Sequence, residues 1–270
     1  MKRIIFTLLY GDGAFHLSRN FRLQRIGDAD WLERNYDFSR VGFAIDELVV
    51  LDVSRGVRSP EDFAATLIRT TRSCFAPVAA GGGVRSVDDA RRLLRSGADK
   101  VVVNTATAED PGLATDLARA FGAQCVVASV DAVRTEAGHV AVVDRGGREV
   151  GPLRAHLDRI GSLPVGELLI TSVDRDGTGQ GLDLGLLDEV PASVRCPVIL
   201  SGGIGFSSHI HEGLTDPRVD AVATANLLNF VGDGLERARS ETRDHGSHVA
   251  HFDAAEARRL AGVAAATAGA

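Results

Sequence analysis

The chain has 270 residues, a formal net charge of −6 and 44% hydrophobic residues, which excludes a disordered chain and suits one large domain. The acidic balance argues against a broad, non-specific grip on nucleic acid. Three sparse cysteines, Cys74, Cys125 and Cys196, lie in no CxxC or Cys/His spacing, so core thiols in a reducing cytoplasm are expected rather than a disulfide framework or a zinc site.

Lys2 and Arg3 precede an apolar run that is too short for a signal peptide and lacks a small-residue cleavage site, so it reads as a first core strand. Nothing approaches the roughly 20 apolar residues of a membrane span. Short Val/Ile/Leu-rich runs then recur down the chain: Ile4–Leu9, Leu48–Val53, Val78–Ala80, Val101–Asn104, Val126–Val130, Leu168–Ser172, Val198–Ser201 and Ala221–Ala225. They are continuous rather than alternating, as strands buried on both faces should be. Helical periodicity fills the gaps at Pro60–Ser73, Ser86–Ser96, Pro111–Phe121 and Leu153–Ile160, with Ser59 and Ser86 as helix starts. Eight such strands with intervening helices predict a (β/α)8 barrel. The single barrel is expected over 1–250, with a C-terminal helix or tail at 251–270; histidines 245, 248 and 251 are not expected to bind metal.

The chain also repeats itself. Ala80-Gly81-Gly82-Gly83-Val84 corresponds to Leu200-Ser201-Gly202-Gly203-Ile204, Asp46-Glu47-Leu48 to Gly166-Glu167-Leu168, and Asp99 to Asp220, all at an offset close to 120 residues. A constant offset implies two half-barrels, about 1–122 and 123–250, related by a pseudo-twofold axis.

Chemistry in such barrels sits at the C-terminal ends of the strands. Gly82-Gly83 and Gly202-Gly203 allow backbone N–H groups to approach phosphate oxygens, and Asn104-Thr105 and Thr224-Ala225-Asn226 end the adjacent strands. Two such cradles suggest a substrate with an anionic group at each end. Asp131 closes strand five, where a carboxylate can act as general acid or base. Asp176-Gly177-Thr178 supplies a carboxylate, a turn and a hydroxyl for gripping substrate, and Asp52 ends strand two. At the opposite end, Arg3, Glu47, Lys100 and Glu167 each begin a strand: either ordinary surface ion pairs or a paired plug on the barrel axis.

These residues resemble those of HisF, the cyclase subunit of imidazole glycerol phosphate synthase, over nearly the whole chain. The matching stretches include Lys2-Arg3-Ile4-Ile5, Gly81-Gly82-Gly83, Gly97-Ala98-Asp99-Lys100-Val101 and Ser172-Val173-Asp174-Arg175-Asp176-Gly177-Thr178. The resemblance implies a partner glutaminase (HisH-like) docked at the barrel bottom, whose ammonia crosses the barrel through a gate falling on Arg3, Glu47, Lys100 and Glu167. It implies phosphate contacts at Gly82, Gly83, Asn104 and Thr105, and at Asp176, Gly177, Gly203, Thr224 and Asn226, where the last two differ from the usual small residues. No cofactor is implied. Of the family's two catalytic aspartates, Asp131 is the second; the first falls on Leu9, with Asp12 nearby as a substitute, and the expected loop lysine falls on Leu17. Leu9, Gly11-Asp12-Gly13 and Phe21 are similar to the HisF-like branch associated with sugar amidation, although Leu17 and Asn20 depart from it too. Three readings follow: an ammonia-using subunit of a glutamine amidotransferase complex acting on a phosphorylated or nucleotide-linked substrate, an imidazole glycerol phosphate synthase cyclase of histidine biosynthesis, and a non-catalytic ammonia conduit.

Overall fold

The computed structural model of the chain describes residues 1–251 and 259, apart from 37, 73 and 227, and of residues 39 and 40 the backbone alone. The first half runs β1 (Arg3–Gly11), β2 (Ala14–Arg19), β3 (Arg22–Gly27), α1 (Ala29–Asn35), α2 (Phe38–Ala44), β4 (Glu47–Asp52), α3 (Pro60–Thr71), β5 (Val78–Gly81), α4 (Val87–Arg95), β6 (Lys100–Val103), α5 (Thr105–Glu109) and α6 (Pro111–Phe121). The second runs β7 (Val126–Thr135), β8 (Gly138–Val143), β9 (Arg148–Pro152), α7 (Leu153–Gly161), β10 (Glu167–Ser172), β11 (Val198–Ser201), α8 (Ser207–Thr215), β12 (Ala221–Thr224) and α9 (Gly234–Asp244).

Eight strands close a parallel ring in the order β1, β4, β5, β6, β7, β10, β11, β12 and back to β1. They are the eight predicted apolar runs, and with helices between them they make the expected (β/α)8 barrel. Alternation along each strand builds two apolar layers. Ile4, Phe6 and Leu8 of β1 pack outward against the helices, whereas Ile5 points into the lumen with Val49, Ala79, Val102, Val127, Leu169, Ile199, Ala221 and Ala223. Where the sequence placed helix starts, the Ser59 hydroxyl accepts from Asp62 N at 3.2 Å and the Ser86 hydroxyl from Asp89 N at 3.1 Å.

The internal repeat is visible in bonding as well as in sequence. Asp99 accepts from Val78 N at 2.8 Å, and Asp220 accepts from Val198 N at 2.9 Å, so each half ties its third strand to the loop before its fourth in the same way. Each half also carries an unpredicted excursion. β1 and β7 outrun the barrel and fold back as antiparallel ladders, β1–β2–β3 and β7–β8–β9. These extra strands are short and partly solvated, and β3, Arg-Leu-Gln-Arg-Ile-Gly, offers no continuous apolar run. α9 ends at Asp244, after which the chain turns and bridges Val249 to Lys2. The helix or tail expected at 251–270 lies, but for His251 and Arg259, outside the described residues. No described helix is long and apolar enough to cross a membrane.

Candidate active site and the charged ring beneath it

The strand C-terminal ends surround a cavity of about 400 Å³. Its floor is set by inward positions one layer above the apolar lumen: Thr7 of β1, Ser129 of β7, Thr171 of β10 and Ser201 of β11. Asp131 stands on β7 two residues beyond Ser129, and period-two alternation turns both inward. Asn104 Nδ2 donates to Asp131 Oδ2 at 3.0 Å. Burial pushes the Asp131 carboxyl up to about 6; the Asn104 hydrogen bond opposes the rise and the charge of Asp176 adds to it. Burial also raises Asp176, against a hydrogen bond from Ser18. The cavity therefore holds two electrostatically coupled carboxyls, one of them able to give or take a proton near neutrality.

Leu9 lines the same cavity and presents only hydrocarbon at the position where the HisF resemblance implies a second strand-end carboxylate. Asp12 does not line it. That residue sits on the β1–β2 turn with φ 51° and donates its backbone N–H to the Ser54 hydroxyl at 3.2 Å. Leu17 is buried on β2, away from the cavity.

The two predicted anion cradles are placed differently. Gly82, Gly83, Asn104 and Thr105 line the cavity, as does Asp176. Gly177, Gly202, Gly203, Thr224 and Asn226 do not. Thr224 shares the outward parity of Val222, and its hydroxyl accepts from Asn226 N at 3.3 Å. The Asn226 amide is bonded within its own loops, to Ile204 O at 3.5 Å and from Asn229 N at 3.2 Å. One glycine of each pair is nevertheless fixed by close packing against backbone. With φ +110°, Gly82 leaves no room for a Cβ, which would stand 2.2 Å from Asp52 O, and at Gly203, φ +99°, one would stand 2.1 Å from Gly181 O.

Four arginines also line the cavity, Arg55, Arg58, Arg85 and Arg145, and the sequence reading missed them all. The first three were detectable, because they fall on loops that follow β4 and β5. Arg145 was not: it reaches the mouth only because the β8–β9 turn folds over it. Among the described residues no group of three or more His, Cys, Asp or Glu side chains is placed to hold a metal ion.

At the other end of the lumen the four strand-starting charges form a closed alternating ring. Arg3 Nη1 lies 3.1 Å from Glu47 Oε2 and 2.6 Å from Glu167 Oε1, and Lys100 Nζ lies 2.8 Å from an oxygen of each glutamate. Glu47 is 2% and Glu167 8% exposed, so these are not ordinary surface pairs. Burial holds the Glu47 carboxyl above its usual range, with Lys100 opposing.

Residues 32–232 match the histidine biosynthesis protein family. The chain is 46% identical, over 245 residues covering 90% of it and 91% of the relative, to a protein of Parasynechococcus marenigrum (strain WH8102) named "Putative imidazole glycerol phosphate synthase subunit hisF2". The chain therefore belongs to the histidine biosynthesis protein family, as a HisF-type (β/α)8 barrel.

Proposed function

We propose that the chain is a synthase subunit that receives ammonia from a glutaminase at the barrel bottom and uses it on a phosphorylated or nucleotide-linked substrate, in sugar amidation. The observation that carries this reading is the alignment of three features along one lumen: a ring of paired charges below, an apolar middle, and a polar cavity with Asp131 above. An apolar lining favours a small neutral molecule over an ion, since an unpaired charge there is strongly penalised. Ammonia can cross such a lining; ammonium must leave its proton at the ring. In the cavity Asp131, poised near 6, takes a proton from the attacking nitrogen or supplies one to the leaving group, and Asn104 fixes the carboxyl's orientation. Leu9 removes the second carboxylate that an acid–base cyclisation would use, which favours amidation over ring closure.

The test is reconstitution with a HisH-like glutaminase. The proposal expects a complex whose glutamine hydrolysis exceeds that of the glutaminase alone; no complex and no stimulation would overturn it. The name of the 46%-identical relative favours a second reading, an imidazole glycerol phosphate synthase cyclase. Turnover of the ribulosyl phosphate intermediate with free ammonia would select that reading. A non-catalytic conduit predicts instead that Asp131→Asn leaves flux unchanged while Glu167→Ala abolishes it.

A further inference from the structure

The cavity is lopsided in charge. Gly82-Gly83 line it, but their repeat equivalents Gly202-Gly203 do not. Beside the first pair stand Arg55, Arg58 and Arg145. Arg58 packs along Gly83, where an added Cβ would meet its Cδ at 2.9 Å, and its Nε lies 3.6 Å from Asp52 Oδ2. Arg145 arrives from the other half-barrel and donates from Nη2 to Ser54 O. Its φ of 61°, like the 53° of Asp144 before it, belongs to the β8–β9 hairpin turn. Arg55 has no ion pair among the described residues. The fourth lining arginine, Arg85, is engaged by Glu109 at 3.2 Å, and Asp144 by Arg148 at 3.0 Å; Asp52 offsets part of the charge of Arg58, but at 3.6 Å from Nε it leaves the guanidinium without a hydrogen bond among the described residues, and Arg55 and Arg145 keep this side positive. In the second half the equivalent of Arg55 is Arg175, which donates to Gln180 O and does not line the cavity. Asp131, bonded to Asn104, and Asp176 also line the cavity, and their negative charge would repel a phosphate placed against them.

Two guanidinium forks, with the glycine N–H groups, already occupy the three free oxygens of a lone phosphate ester. Three forks call for more oxygens at the same end. We propose that Arg55, Arg58 and Arg145, with the Gly82-Gly83 backbone, form a diphosphate site. The substrate would then carry two linked phosphoryl groups at one end rather than one phosphate at each. Given the amidation reading, on which this assignment of substrate class rests, a nucleoside diphosphate-linked sugar is the diphosphate ester that fits.

Isothermal titration of the full chain tests the site with inorganic phosphate, inorganic pyrophosphate, UDP and fructose 1,6-bisphosphate as probes. Pyrophosphate and UDP are expected to bind about tenfold or more tighter than phosphate, and UDP tighter than the two-ended bisphosphate. Arg55→Ala and Arg145→Ala should each weaken pyrophosphate about tenfold, with Arg175→Ala unchanged and thermal unfolding confirming that each variant is folded. Pyrophosphate no tighter than phosphate, the bisphosphate tighter than UDP, or an equal loss from Arg175→Ala would overturn the proposal. The two readings fail separately. Pyrophosphate binding needs no glutaminase, so a chain that binds pyrophosphate but recruits no glutaminase keeps its diphosphate site and loses ammonia transfer, and the reverse pattern removes the site alone.

Discussion

Lys100 holds its ammonium between two carboxylates, 2.8 Å from Glu47 Oε2 and 2.8 Å from Glu167 Oε2. Arg3 closes the same pair from the other side. Removing one cation leaves two buried carboxylates sharing the other, and an uncompensated buried charge is costly. Lys100→Met is expected to lower the free energy of unfolding by about 2 to 4 kcal/mol, toward the low end for breaking a buried pair because Lys100 keeps some contact with water. Urea denaturation midpoints measure this, and Lys100→Arg should recover part of the loss.

Asp131 predicts an inverted pH dependence. Its carboxyl titrates at about 6 in the folded chain against an ordinary value of 3.8. Between those values the folded state binds the proton more tightly than the unfolded state, so this group's contribution to stability falls as pH rises through the window. Asp131→Asn removes the ionised form. It should therefore stabilise the chain at pH 7 by about 1 to 3 kcal/mol, and the gain should vanish near pH 4. Thermal unfolding at the two pH values reads this directly, while the same variant should lose catalytic turnover.

Gly82 is held by its neighbours rather than by its turn alone. Gly82→Ala drives a Cβ onto the Asp52 carbonyl and should cost about 2 to 4 kcal/mol, combining backbone strain with a clash that cannot relax. Gly13, at φ +77° with nothing within 4 Å of an added Cβ, is the control. Gly13→Ala should cost about 1 kcal/mol, the strain alone. Similar losses from both in denaturant titrations would show that the contact with Asp52 is not what fixes Gly82.

Arg239 of α9 clasps Asp46 at 2.8 and 2.9 Å and donates to the carbonyls of Ala44 and Ala250 at 3.2 and 2.9 Å. Asp46 also accepts from Ile4 N at 2.8 Å, so this knot ties α9 to the first barrel strand. Arg239→Met should cost about 3 to 5 kcal/mol, and adding Asp46→Asn should cost less than the sum of the two single changes. A double-mutant cycle gives that coupling.

The barrel was legible because its strands are buried on both faces and read as unbroken apolar runs, from Ile4–Leu9 to Ala221–Ala225. The serine caps at Ser59 and Ser86 were legible as local chemistry. The hairpin strands were not, because β3 and β9 are partly solvated and take their register from β2 and β8 rather than from an apolar pattern of their own. Convergence of Arg3, Glu47, Lys100 and Glu167 could be sensed from their shared place at strand starts. Whether they paired was a matter of side-chain reach. The glycine pairs were found at both repeats, but their unequal access to the cavity was hidden, because it depends on where neighbouring loops lie. Arg145 and the Arg239–Asp46 pair were out of reach for the same reason: they join segments 91 and 193 residues apart.

Passage of ammonia through the charged ring is tested most directly by isotope partition. The proposed complex with a HisH-like glutaminase is given glutamine labelled with 15N at the amide, in the presence of excess unlabelled ammonium, and the label in the aminated product is measured. Channelling predicts a product dominated by 15N in the parent chain and diluted in Lys100→Met, with turnover on free ammonia preserved in both. Equal dilution by unlabelled ammonium in parent and variant would contradict it.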